Sequence, residues 1–220
     1  RTVTHDAAAS AQSERWGWPR FRRSHLHDYG PAAVRLWLAI VAAGAAALAL
    51  ALHGIAAIAP QEGVQALGWA AVAALAAAFP IQIPRTKHSF AAGDVVLFLV
   101  LALHGTAAAV LASALEAFTA SARTSVRLSS RLASLAAAAL AMTLAGLAYA
   151  ALLSWLRGGP VPPAAAQGLA LAAAALIHYV VCTLSLMWVV HLKRGARLTP
   201  AAWFSGTSWV GALYLLSSML

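Results

Sequence analysis

Six carboxylates stand in this 220-residue chain, at Asp6, Glu14, Asp28, Glu62, Asp94 and Glu116, so acid–base or metal chemistry has few places to occur. Glu116 is the most informative, because it falls inside an apolar run, where an ionised side chain is expensive and usually faces protein or a cavity. Asp94 follows Gly93 at the start of another apolar run, near Arg85, Lys87 and His88, where it can cap a helix amino terminus. If the helix carrying Glu116 continues past Ser121, Arg123 and Arg127 share its face, because steps of seven and eleven residues return to nearly the same angle. That pattern has two readings. One is an internal ion pair with a snorkelling basic rim. The other is an anion or ligand pocket lined by Asp94, Glu116, Arg123 and Arg127 that opens to the cytoplasm.

Cofactor ligands are equally sparse. His178 and His191 lie thirteen residues apart on one apolar run, a step of about 220° that puts them on opposite helix faces. They cannot share a metal. His178 reads as a buried hydrogen-bonded imidazole or as a lone axial ligand to haem or chlorophyll, and no other cofactor is expected. The single cysteine, Cys182, builds neither a disulfide nor a thiolate metal site. The motifs HExxH and GxSxG, a phosphate loop and a pair of intramembrane carboxylates are all missing, which points away from an enzyme.

The elements that must position these residues are apolar runs at 35–59, 64–83, 93–104, 106–121, 131–156, 164–191 and 201–220. Fourteen of the fifteen Lys and Arg residues fall in alternate gaps between them: six up to Arg35, two at Arg85 and Lys87, three from Arg123 to Arg131, and three from Lys193 to Arg197. Basic residues in short loops stay cytoplasmic, so the amino terminus and these loops are expected inside. Reading 93–121 as one span would split the basic residues nine to six. The charge pattern therefore predicts a short helical hairpin broken at Gly105, its two arms shielded by other helices because lipid cannot satisfy backbone groups freed at a turn. The fold expected is an all-α polytopic bundle of six to seven membrane helices, with Leu220 outside and a further helix or a partner still to come.

Composition agrees. With 62% apolar and 10% charged residues and a mean hydropathy of +0.77, the chain has too little polar surface for a soluble globule. Its net charge of +9 sits at membrane borders, so anionic lipid headgroups rather than nucleic acid are the expected counter-charge. Residues 1–30 form a basic, aromatic cytoplasmic tail ahead of the transmembrane part, 31–220. In it, Trp16, Trp18, Arg22 and Arg23 suit a headgroup anchor, with a disordered tail as the alternative. Alanine-rich helices predict close packing, because small side chains let backbones approach in lipid; the alternative is that Ala is there simply as a good apolar helix former.

The stretch FPIQIPRTKHSFAAGDVVLFLVLALHGTAAAVLASALEAFTASART, followed by RLASLAAAALA, resembles the membrane-embedded amino-terminal sensory region of bacterial diguanylate cyclases and HD-GYP phosphodiesterases. The shared features are a Pro-containing turn at Phe79 to Pro84, Ser89 and Asp94 leading a Phe-rich helix, the Gly105 break, Glu116 in an Ala-rich helix, and the Arg cluster. Thr106 and Ala133-Ser134 depart from the pattern, which commonly has Pro and Phe-Asn there. The resemblance implies a non-catalytic sensory or ligand-binding input domain in a bacterial inner membrane, signalling to a cytoplasmic effector in a longer product. Two other readings stay open: an accessory subunit of a respiratory or photosynthetic complex, and a substrate-binding transport component. Each implies a protein partner or oligomer in the membrane.

Overall fold

The structure, a computed structural model, describes residues 18–79, 81–82, 89–90 and 93–195. Its helices are α1 (Trp18–His25), α2 (Pro31–Ala56), α3 (Pro60–Ala78), α4 (Gly93–Thr124), α5 (Leu128–Arg157) and α6 (Pro163–Lys193). Pro31, Pro60 and Pro163 open α2, α3 and α6, a position where the missing N–H is no loss. Between α3 and α4 a two-residue antiparallel ladder pairs Ile81 with Phe90 and Gln82 with Ser89.

Gly105 interrupts α4 with φ 79° and ψ −176°, a region that only glycine occupies without strain. Twenty-three residues of unbroken helix would separate Gly93 from Glu116 by about 34 Å. Instead, a Cβ built on Gly93 would lie 3.0 Å from Glu116 Cγ. The chain therefore reverses at Gly105, and 93–104 and 106–124 run as the two arms of a hairpin.

Among the described residues, four helices are long and apolar enough to cross a membrane: α2, the stretch Val95–Thr124 of α4, α5 and α6. The count of six to seven expected from the sequence is not confirmed by these four. α3 carries Gln61, Glu62 and Gln65 at its start and is not among the four, and the run at 201–220 lies outside the described residues. α4 reaches its length only by counting both arms, of about 18 and 28 Å, so it does not cross as one straight span.

α5 is the central helix, packed by α2, α4 and α6. Its buried residues, among them Ala133, Ala136 to Ala139, Ala141, Met142, Ala145 and Gly146, face several directions at once. α2 answers with a single seam of Ala33, Trp37, Ile40, Gly44, Ala47 and Ala51 at steps of four and three, the spacing of a helix–helix seam. α3 buries Ala66, Ala70, Ala73 and Ala77, and α4 is its main neighbour. Small side chains let backbones approach, which in lipid supplies dispersion where water exclusion supplies nothing. At Gly44 the approach is backbone to backbone: an added Cβ would fall 2.4 Å from the Ala136 carbonyl oxygen.

The residues flanking the hairpin apex pack against other helices, while Gly105 itself and Leu103 are exposed. A Cβ on Gly146 of α5 would overlap Thr106, one on Gly54 of α2 would lie 3.3 Å from Ala107, and the His104 ring is 6.2 Å from that of Trp69 on α3. Neighbouring helices thus pack against both sides of the turn but leave Gly105 exposed, which is less shielding than the sequence expectation called for. Leu50, Val64, Leu75 and Leu147 point outward, 69, 69, 60 and 61% exposed, the apolar exterior that lipid solvates.

Candidate functional site

Bonds across the bundle gather the helix ends that border its basic gaps. Asp28, before α2, accepts from Arg127 Nη1 at 2.5 Å and from Lys193 Nζ at 2.7 Å, joining the amino-terminal segment to the α4–α5 loop and to the end of α6. Arg123 donates through Nη1 to the Ala77 carbonyl at 3.3 Å and to that of Ala78, which brings in the carboxyl end of α3. That end leads to Arg85 and Lys87, which lie outside the described residues. All four basic gaps, or the helix ends leading to them, therefore meet at one end of the bundle.

Residues 18–30 are part of this end. Leu26 is 1% exposed and clusters with Trp37 and Ala133, with Phe21 and Tyr29 packed alongside. The Trp37 indole N–H donates to the Ser129 carbonyl at 3.0 Å, and the Ser129 hydroxyl donates to the His25 carbonyl at 2.9 Å. Lys193 Nζ also sits 5.1 Å from the centre of the Tyr29 ring, within cation–π range. Arg22 is exposed; Trp16 lies outside the described residues, as do the side chains of Trp18 and Arg23.

Of the four residues read from sequence as a ligand pocket, the hairpin brings two neighbourhoods together. Glu116 of the second arm lies against the first turn of α4, its Oε1 3.2 Å from a Cβ built on Gly93, the residue before Asp94. The first turn of a helix carries unpaired N–H groups and a positive partial charge, so a carboxylate is well placed there. Glu116 is half-buried and eight residues before the end of α4, about 12 Å along the helix. The Asp94 side chain is outside the described residues.

Arg123 keeps the Glu116 face, seven residues on in the same helix, but Arg127 does not share it as a continuing helix would require. α4 ends at Thr124, and Arg127 stands in extended conformation, φ −80° and ψ 122°, at the amino-terminal cap of α5. Arg123, still helical, reaches across to the last carbonyls of α3. Arg131 Nε donates to the Ser125 carbonyl at 2.9 Å and its Nη2 to that of Ala122 at 3.3 Å, closing the carboxyl end of α4. Each of the three guanidiniums is thus bonded within the chain, two of them to carbonyls that a helix end leaves exposed. Asp28 went unnoticed as a site residue in the sequence, where it reads as one more residue of the tail. The lone aliphatic Leu26 beside it was the available signal.

Burial opposes ionisation of Asp28, but hydrogen bonds from Lys193 and Arg127 and the Lys193 charge outweigh it and hold the carboxyl down at about 2. It is ionised at neutral pH.

His178 is 2% exposed in α6, with the Phe98 ring of the first hairpin arm edge-on at 6.0 Å. His191 Nδ1 lies 2.9 Å from the Met187 carbonyl of its own helix. Among the described residues no three His, Cys, Asp or Glu side chains converge as a metal site would need. Comparison with family models, curated proteins and solved structures found no match for the chain.

Proposed function

We propose that the chain is a non-catalytic membrane input domain, which binds a small amphipathic ligand beside its re-entrant hairpin and passes the resulting helix displacement to a cytoplasmic signalling effector. The observation that carries this reading is Glu116 held against the amino end of α4, next to Asp94 and within the span of the bundle. An acid inside an apolar bundle marks a functional position by default. The pair is a ligand site bordered by Arg123, and Arg127 links the hairpin exit to the end of α6 through Asp28. A ligand that shifts the second arm would therefore pull on α6.

The setting that fits is a bacterial inner membrane with the amino terminus in the cytoplasm. The shared basic end supports this orientation, because Lys and Arg in short loops are retained inside. Trp155 and Trp188, 73 and 54% exposed, favour a second reading, in which the chain packs as an accessory subunit against a larger membrane complex.

Purification from native membranes in mild detergent, with mass spectrometry of both proteins and extracted small molecules, separates the two. The input-domain reading expects one bound amphipathic molecule, lost in Glu116→Gln, and a signalling enzyme as partner. A constant stoichiometric redox or pigment complex would replace it with the second.

A further inference from the structure

Asp28 pairs with two cations that come from elements far apart in the chain, Arg127 of the α4–α5 loop and Lys193 of α6. Both cations bond the same oxygen, Oδ2, while Oδ1 is buried and meets no hydrogen-bond donor among the described residues. One negative charge thus faces two positive ones, and exposed Arg194 adds a third cation next to Lys193. The carboxylate leaves one of its oxygens and part of the positive charge unanswered. A phosphate carries up to two charges and more oxygens, so it can accept from both cations separately.

We propose that Arg127 and Lys193 form a phosphate-binding site in which Asp28 is a built-in stand-in, and that a phosphate group entering this site displaces Asp28 and releases the segment around Leu26 from the bundle.

The surroundings suit such an exchange. The side chains of Arg127, Lys193 and Asp28 are 42, 31 and 29% exposed, so the site is reachable, and an ion pair this open contributes little to stability. The bundle end that holds them also carries the basic gaps, where headgroup phosphates of an anionic membrane concentrate. Because Asp28 stays ionised at neutral pH, an anion rather than a proton has to displace it. The released segment is short: Leu26 leaves its pocket beside Trp37 and Ala133, and the Ser129 bond to the His25 carbonyl opens. The inference rests on the bundle being in a bilayer and is independent of the ligand proposed beside the hairpin.

The full chain in nanodiscs tests this. Phosphatidylcholine discs, the same discs with inorganic phosphate added, and discs containing phosphatidic acid are compared by hydrogen exchange at the Tyr29 amide, which bonds the Leu26 carbonyl at 3.1 Å. Exchange should rise, relative to phosphatidylcholine with its singly charged phosphodiester, in at least one of the two samples that add a phosphate able to carry two charges; a response to phosphatidic acid alone identifies a lipid headgroup, and a response to inorganic phosphate identifies a free anion. Retained phosphatidic acid or phosphate is measured in parallel. Asp28→Asn, which frees the site of its stand-in, should tighten binding by about fivefold, as removal of a competing state does. Arg127→Gln with Lys193→Gln should abolish it, and Glu62→Gln, the same charge change at the start of α3, should leave it unchanged. The proposal is overturned if wild-type exchange is the same in all three samples, or if Asp28→Asn binds no more tightly than wild type.

Discussion

Gly44 of α2 and Ala136 of α5 touch backbone to backbone: a Cβ on Gly44 would lie 2.4 Å from the Ala136 carbonyl oxygen and 2.5 Å from its Cα. Side-chain rotation cannot relieve a contact with backbone. Gly44→Ala should therefore push α2 away from α5 and lower stability by about 1–3 kcal/mol. Gly68 of α3, with nothing within 4 Å of its added Cβ, is the matched control. There, Gly68→Ala should be neutral or stabilising by up to about 1 kcal/mol. Unfolding titrations in mixed detergent measure both.

Gly105 offers a test in which two folds predict opposite signs. Its Cβ would meet nothing within 4 Å, but its φ of 79° with ψ near 180° is hostile to any L side chain. Gly105→Ala should destabilise the hairpin by about 1–3 kcal/mol. In a continuous helix the same change would stabilise by roughly 1 kcal/mol. A thermal unfolding midpoint in detergent reads the sign.

Arg123 holds two carbonyls at the end of α3. Arg123→Gln should leave them unsatisfied, at about 1–3 kcal/mol, with the change concentrated where α3 ends. Hydrogen exchange over 74–79 should rise while that over α6 stays the same; a uniform rise would show that Arg123 acts on global stability instead.

Much of this architecture is legible from charge and glycine placement. Alternation of basic gaps follows from a rule of membrane insertion that acts locally, loop by loop, so the sequence alone carries it. Gly105 is legible because a break within an apolar run needs a residue free to take positive φ. What Asp28 does is not legible, because its partner Arg127 is 99 residues away and only tertiary packing unites them. The docked segment at Leu26 is hidden for the same reason, since one aliphatic residue makes no periodicity. Glu116, Arg123 and Arg127 look like one helical face only if the helix is carried past Thr124, and capping at Arg127 and Arg131 ends it instead.

Acid should reveal Asp28 through a small change in stability, as befits an ion pair this open. Its carboxyl has the ordinary value of 3.8 when unfolded and is held at about 2 in the fold. A lowered value contributes stability that is fully present above the unfolded value and is lost as pH falls through the folded one. The contribution is therefore constant near neutrality and disappears between about pH 4 and pH 2. The advantage of wild type over Asp28→Asn should therefore shrink as pH falls through that window. Unfolding titrations at several pH values, comparing the two proteins, check it; a difference growing toward low pH would contradict the pairing.

The hairpin at Gly105 carries the whole account, because the ligand site and the shared basic end both depend on the chain reversing there. Spin labels at Val95 and Ala120, in a chain whose Cys182 is replaced by Ser, measure that reversal directly by pulsed electron resonance in nanodiscs. Adjacent arms place the labels within about 20 Å of each other, from helix axes roughly 8–10 Å apart plus the label arms. A distance near 38 Å, the length of twenty-five residues of unbroken helix, would contradict the account.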